Sequence, residues 1–440
     1  MKSSKKQNKV YVGLSADILH KGHINILKIA SSYGEVTVGL LTDEAIASYK
    51  KFPHLNYEQR EIVLRNIKFV KNVIPQTTLD YIPNLKKMKP NFVVHGDDWK
   101  KGVQKNIRKK VIKELAKWSG KLIEPKYTLG ISSSEIKKNI FKYGVAVDTR
   151  KSKLKRLMEA KPLVRIMESH NALTGLIIES SSYTIKNLYK EFDGMWSSSL
   201  TDSLTRGKPD NQSVDYSSRI HGLNEMLDVT SKPVIFDADN GGRLEHISFL
   251  VKTLERAGVS AVVFEDKIGL KKNSLFKDQK NTKQDSIEGF CKKLKKAKNS
   301  KISNDLLIVA RVESLILGKG IKDAFKRAEN YSKAGADAIL IHSKEKNPKE
   351  IFEFAKIFKK SKFFKPLVAV PSTYSSVKES DLIKHHFKIV IYANQLLRAA
   401  YPAMKNAAVS ILKNDRSFEL EGKISSCLLY TSDAADEEDS

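Results

Sequence analysis

The sequence predicts an α/β protein in two parts, a doubly wound parallel α/β sandwich followed by a (β/α)8 TIM barrel. Three observations predict it. Short apolar runs alternate with amphipathic helical patterns along nearly the whole chain. At 440 residues the chain is long enough for two or three domains. In its second part, polar and charged residues collect just after the apolar runs, where a barrel carries its chemistry.

Residues 10–141 hold five strand-like runs: Val10–Leu14, Glu35–Leu41, Val70–Ile74, Phe92–Gly96 and Lys121–Glu124. Amphipathic stretches near Gly22–Ser32, Tyr57–Asn66 and Arg108–Trp118 separate them, as a doubly wound sheet requires. Residues 142–155 carry no apolar periodicity and are expected to be a linker. Residues 156–426 contain eight apolar runs: Ala172–Ile178, Gly194–Ser197, Pro233–Asp237, Ala261–Glu265, Leu306–Arg311, Ala338–Ile341, Pro366–Val370 and Ile389–Tyr392. Unbroken apolar runs are what strands buried on both faces look like. They end in Glu179, Ser197-Ser198, Asp237 and Asp239, Glu265-Asp266, Arg311-Val312-Glu313, His342, Ser372 and Asn394. The tail 427–440 carries five acids and no base, against the grain of the chain, and is expected to be non-native.

Composition excludes several classes. With 41% hydrophobic and 29% charged residues the chain is neither collagen-like nor wholly disordered. No apolar run approaches the length of a membrane span, and no signal-peptide core follows the basic N-terminus, so a cytoplasmic setting is expected. Two cysteines, Cys291 and Cys427, cannot build a disulfide framework. The net charge of +28 comes mostly from lysine, 64 Lys against 14 Arg, scattered over predicted outer helix faces. Nucleic-acid readers cluster arginine with aromatics, so the charge is read as a solvated surface that favours small anionic substrates, with no nucleic-acid or membrane partner.

In the first domain His20-Lys21-Gly22-His23 follows the first strand and opens a helix. The two imidazoles share one face beside the helix N-terminus, where free N–H groups favour phosphate, and Gly22 allows close approach. Thr42-Asp43-Glu44, Tyr57-Glu58-Gln59-Arg60, Gly96-Asp97-Asp98-Trp99 and the cradle Gly130-Ile131-Ser132-Ser133-Ser134-Glu135-Ile136 follow in order. These motifs resemble the cytidylyltransferase branch of the HxGH nucleotidyltransferases. The resemblance implies that His20 and His23 stabilise the transition state at the α-phosphate. It also implies that Gly22, Arg60, Ser132, Ser133 and Ser134 bind the nucleotide, with CTP as co-substrate. One departure stands out: the family's phosphate-binding arginine is Tyr127 here, with Lys126 beside it.

In the barrel Asp237-Ala238-Asp239 puts two carboxylates at a strand end. With Glu265-Asp266 on the next strand this is a hard-oxygen site suited to Mg²⁺ held largely through waters. Arg311 and His342 supply positive charge or donors facing it, and the polar loop from Glu265 to Ser274 is long enough to be a lid. Gly194-Met195-Trp196-Ser197-Ser198-Ser199-Leu200, Gly207-Lys208-Pro209-Asp210 and the motifs just named resemble the phosphoenolpyruvate mutases of the isocitrate lyase superfamily. The resemblance implies that Asp237 binds Mg²⁺ directly while Asp239 and Glu265 hold its waters. Trp196, Ser198 and Leu200 would then line the substrate site, and Asn273, Arg311 and His342 would hold the phosphoryl group. Asp210 and Lys271 would support the closed site, and Ser274 and Leu275 would complete the lid. The lid lacks the cysteine that superfamily lyases use.

The expected function is therefore interconversion of phosphoenolpyruvate and phosphonopyruvate, joined to CMP transfer from CTP to a small phosphonate or phosphate. That layout is similar to the fusion mutase of the fosfomycin pathway. The alternatives are a phosphonopyruvate hydrolase barrel, or a mutase with a non-catalytic nucleotide-binding module. A homo-oligomer, dimer or tetramer, is expected if the C-terminus is complete.

Overall fold

The computed structural model describes residues 7–100, 104–126, 147–185, 188–269, 271–274, 279 and 282–425. The chain divides into two compact units, Met1–Tyr143 with Ser182–Glu191, and Gly144–Ser181 with Phe192–Ser440.

The first unit contains β1 (Lys9–Leu14), α1 (Lys21–Ser31), β2 (Glu35–Leu41), α2 (Asp43–Ala47), α3 (Tyr57–Arg65) and β3 (Asn72–Gln76). They are followed by α4 (Ile82–Met88), β4 (Phe92–Val94), α5 (Lys105–Leu115) and β5 (Lys121–Ile123). The strands form one parallel sheet in the order β3-β2-β1-β4-β5. Side-chain alternation builds its two cores. Val10 and Val12 of β1 pack with Leu27, Ala30 and Leu64 of α1 and α3, whereas Tyr11 between them packs with Leu85, Val111 and Leu115 of α4 and α5. Gly39 of β2 leaves room for Tyr11, since a Cβ there would sit 1.8 Å from its hydroxyl. The strand order reverses between β1 and β4, and a doubly wound fold opens its crevice at the carboxyl ends of those strands.

The second unit begins earlier than the expected linker allowed. From Val147 onward the segment 142–155 is part of α6 (Val147–Ala160), whose Leu154 and Leu157 are buried. Arg150 on it donates to the carbonyls of Leu227 at 2.7 Å and Thr230 at 2.9 Å, and its own carbonyl accepts from Ser260. The helix thus seals the amino-terminal end of the barrel. Its apolar residues are too few and its lysines too many for the periodicity to show.

Eight parallel strands close the barrel: β6 (Val164–Ser169), β9 (Gly194–Ser197), β10 (Val234–Asp237), β11 (Ala261–Glu265), β14 (Leu307–Val312), β15 (Ala338–Ile341), β16 (Leu367–Ala369) and β17 (Phe387–Tyr392). The labels β7 (Ser182–Ile185) with β8 (Leu188–Glu191), and β12 (Lys267–Ile268) with β13 (Lys283–Gln284), denote two short antiparallel pairs outside it. Helices α7 (Ala172–Ser180), α8 (Ser199–Thr205), α9 (Tyr216–Asp228), α10 (Leu244–Ala257), α11 (Ile287–Ser300), α12 (Gly320–Lys333), α13 (Lys349–Phe358), α14 (Glu379–Lys384) and α15 (Gln395–Asn414) complete the unit.

One strand assignment is corrected. Ala172–Ile178 is not the first strand but most of α7, and β6 takes that place. Asn171 caps the helix by accepting from Thr174 N at 2.9 Å, which commits a largely apolar run to a helix. Glu179 accordingly lies on that helix and binds Thr230 and Ser231, which precede β10, away from the carboxyl ends of the strands.

Candidate active sites

In the first unit a cavity of about 350 Å³ lies beyond β1 and β4, lined by His20, Gly22, His23, Lys50, His95, Asp98 and Lys126 among others. His20 sits just ahead of α1. Its Nδ1 accepts from Gly22 N at 3.1 Å, and its own N–H donates to His23 Nδ1 at 3.4 Å. Both Nδ1 atoms accept, so each neutral ring carries its proton on Nε2. The ring centroids are 4.0 Å apart. Burial lowers the His20 pKa; burial, then His20 and Lys50, lower that of His23 to about 4. The pair therefore offers two neutral N–H donors at neutral pH. His95 stacks on Trp99 at 3.9 Å, and Trp99 is fixed by Glu124, which also takes a bidentate contact from Arg108.

Arg60 departs from expectation. It is buried and absent from the cavity wall. Its guanidinium binds Asp43 at 2.6 Å and donates to the carbonyls of Ser15 at 2.6 Å, Leu41 at 2.8 Å and Leu55 at 3.2 Å. It clamps β1 to β2 and α2; the motif marked a needed arginine, but not what it holds. Tyr127, Ser132, Ser133 and Ser134 lie outside the described residues.

In the second unit a cavity of about 60 Å³, several times what one water needs, opens at the carboxyl ends of the strands. Its walls include Trp196, Ser198, Leu200, Asp210, Asp237, Glu265, Lys271, Asn273, Ser274, Arg311 and His342, all predicted from the sequence. Asp237 Oδ2 accepts from Ser199 Oγ at 2.9 Å, and its Oδ1 accepts from Asp239 N at 3.2 Å. Asp239 is buried with φ of 49°. Lys271 reaches in from the lid to bind Asp239, Ser199 and, at 2.7 Å, Asp210. Asn273 Nδ2 donates to the other oxygen of Asp210 at 3.2 Å. Ser274 Oγ donates to Glu313 at 2.7 Å and accepts from Lys267 and Arg311, each at 2.8 Å. Arg311 also donates to His342 Nδ1 at 3.1 Å, so a neutral His342 keeps its proton on Nε2. Burial, then Arg311, lowers the His342 pKa and favours that neutral form. Leu275 lies outside the described residues.

The electrostatics separate the carboxylates. Burial opposes ionisation of Asp237, but Lys271, Arg311 and Arg219 hold its pKa below the usual range. Glu265, with Lys267 at 3.5 Å and Arg311 at 3.6 Å, is nevertheless pushed up to about 7 by burial. A bound cation would relieve that cost, so three buried hard-oxygen groups at adjacent strand ends fit a divalent ion such as Mg²⁺. Among the described residues no three His, Cys, Asp or Glu groups form a ready-made metal cage. Asp266 does not join them. It faces Tyr331 at 2.8 Å, Gln284 at 2.8 Å and Glu313 N at 3.0 Å, as period-two alternation demands.

Three supporting residues were given no role by the sequence reading. Glu313 anchors Arg311 at 2.5 Å and the lid serine. Lys267 holds the lid through Ser274 and the Lys272 carbonyl. Arg219 from α9 is fully enclosed and binds Asp202 at 2.9 Å and the carbonyls of Asp237 at 2.6 Å and Ser197 at 3.3 Å. Glu313 was visible as the end of a strand; nothing local marked Arg219.

Fold and site together define an enzyme whose site lies at the mouth of a parallel (β/α)8 barrel. The chain belongs to the phosphoenolpyruvate phosphomutase family, whose sequence profile matches residues 154–412, and a cytidylyltransferase-like profile matches residues 11–139. A phosphoenolpyruvate phosphomutase of Tetrahymena pyriformis is 37% identical over 63% of this chain and 88% of its own length. A crystal structure of a phosphonopyruvate hydrolase with oxalate and Mg²⁺ superposes with a TM-score of 0.56 at 30% identity, covering 63% of this chain and 92% of the other. The glycerol-3-phosphate cytidylyltransferase of Bacillus spizizenii is 33% identical over 28% of this chain and 90% of its own length. Among the described residues no helix is long and apolar enough to cross a membrane.

Proposed function

We propose that the barrel interconverts phosphoenolpyruvate and phosphonopyruvate. The observation that carries this is the lid: Lys271, Asn273 and Ser274 are tied to Asp210, Asp239, Arg311 and Glu313 over the strand ends. A mutase must keep water from a phosphoryl group in transit, and a lid fastened at both walls does that. Arg311, Asn273 and His342 Nε2 donate to the phosphoryl oxygens while its bond to the enol oxygen breaks and one to C3 forms. Trp196 packs on the substrate, and the backbone N–H groups near Ser198 and Leu200 receive its oxyanion. Asp237, Asp239 and Glu265 would hold Mg²⁺, which when bound supplies charge for the enolate. The protein with Mg²⁺ should convert phosphonopyruvate to phosphoenolpyruvate, seen by phosphorus NMR as loss of the C–P resonance. Phosphate and pyruvate as sole products would instead establish a hydrolase, the reading favoured by the likeness to that enzyme.

For the first unit the reading is CMP transfer from CTP to a small phosphonate or phosphate. Two neutral imidazole N–H donors at a helix N-terminus beside Lys50 and Lys126 support it. Pyrophosphate release from CTP with an alkylphosphonate tests it; CTP binding without release would favour a non-catalytic module. A homo-oligomer is supported by the exposed Tyr401, Met404 and Leu412 of α15 and is checked by light scattering.

A further inference from the structure

We infer that Asn394 is an uncharged substrate-binding residue of the barrel, donating through its side-chain amide to an oxygen of the anionic substrate. It follows β17, the eighth barrel strand, and lines the same cavity as Asp237, Arg311 and His342. Only 7% of it is exposed, and its Oδ1 has no hydrogen-bond partner among the described residues. The position makes that unusual. An asparagine directly ahead of a helix ordinarily accepts from an N–H of the first turn, and Asn394 does not cap α15 in that way.

Another residue does the capping. Glu168, from β6 beside it in the barrel, accepts with Oε2 from Leu396 N at 3.2 Å and Leu397 N at 3.5 Å. Its other oxygen is taken by His170. The backbone N–H of Asn394 is satisfied by Gln395 Oε1 at 3.0 Å. With the helix start served from the neighbouring strand, the Asn394 amide is left for the cavity. A buried polar atom without a partner is costly, whereas Asp210 is bonded to Lys271, and Ser274, Arg311 and Glu313 are bonded to one another. The amide is therefore a spare polar group of the wall.

The chemistry of the occupant follows. Carboxylate, enol and phosphoryl oxygens of the proposed substrates accept and do not donate, so it is the NH2 of the amide that would serve them. It adds direction without charge to a wall already rich in cations.

This inference rests on the barrel binding small dianions, and the test separates the two. Oxalate titrated calorimetrically into the Mg²⁺-loaded protein is the probe. Asn394→Ala should weaken oxalate about tenfold and raise KM for phosphonopyruvate with little change in kcat. Asn394→Asp should weaken it about a hundredfold, because a carboxylate repels the dianion, while Tm holds, because Glu168 and not this side chain caps α15. A purely structural Asn394 predicts the reverse order, Asp behaving as wild type and Ala as the damaged protein. That order, or wild-type affinity in both variants, overturns the role of Asn394 alone. Wild type that fails to bind Mg²⁺ and oxalate overturns the reading of the barrel, and this inference with it.

Discussion

His20 and His23 stabilise the start of α1 through each other's backbone and ring nitrogens, and this works only while both rings are neutral. Protonation of either Nδ1 would remove an acceptor from an N–H and add positive charge beside the helix N-terminus. Folding therefore holds the His23 pKa near 4, whereas an unfolded histidine takes its proton near 6.5. Below pH 6.5 the unfolded chain binds the proton first, so stability falls as pH drops towards 4 and is flat above. Between pH 7 and pH 5 the loss from His23 should be about 2 kcal/mol. His23→Gln keeps an acceptor but does not titrate, and urea unfolding at the two pH values should show that much less pH dependence. An unchanged slope would mean that His23 is not the buried neutral group described. The same variant should lower CMP transfer far more than CTP affinity, because the Nε2 donor is asked to act on the transition state.

At the scale of elements, the barrel site depends on contacts that bind secondary structures together. Arg219 of α9 holds the carbonyls of Ser197 and Asp237, the last residues of β9 and β10, and the carboxylate of Asp202 on α8. Its removal leaves Asp202 buried, with, among the described residues, only the partly exposed Arg206 as its remaining cation, at 3.2 Å. Arg219→Met should therefore cost about 3–5 kcal/mol, read as a lowered urea midpoint, and loosen Asp237. A midpoint within error of wild type would show that the clamp is dispensable. These long-range partners explain what the sequence did and did not disclose. The strand runs Gly194–Ser197, Ala261–Glu265 and Ala338–Ile341 were legible because full burial on both faces leaves a continuous apolar record. Ala172–Ile178 carries the same record, yet a cap at Asn171 makes it a helix. The true first strand, β6, was hidden by Arg165 and Glu168, which pair with Glu379 and with the start of α15. The site carboxylates and lid were legible because their chemistry sits at strand ends in short motifs. Arg60 was recognised as important but assigned to the nucleotide, since a motif records that a residue is required and not which way it points.

For the whole molecule the starting point is that, among the described residues, each unit has hydrophobic clusters of its own. The clusters around Val10 and Tyr11 contain only residues of the first unit, and the large cluster from Leu163 to Val390 contains only residues of the second. Each unit also has a cavity of its own, and the residues lining one do not line the other. A ligand that binds only folded protein stabilises what it binds by RT ln(1 + [L]/Kd), about 2.7 kcal/mol at a hundredfold excess over Kd. If each core folds on its own contacts, calorimetry should resolve two transitions, with CTP raising one and Mg²⁺ with oxalate raising the other. Asp237→Ala should abolish the oxalate shift and phosphonopyruvate conversion while the CTP shift and pyrophosphate release stay as in wild type, and His23→Ala should do the converse for pyrophosphate release. A single transition raised by either ligand would show that the two units share their stability, and a loss of pyrophosphate release in Asp237→Ala would show that they share their chemistry.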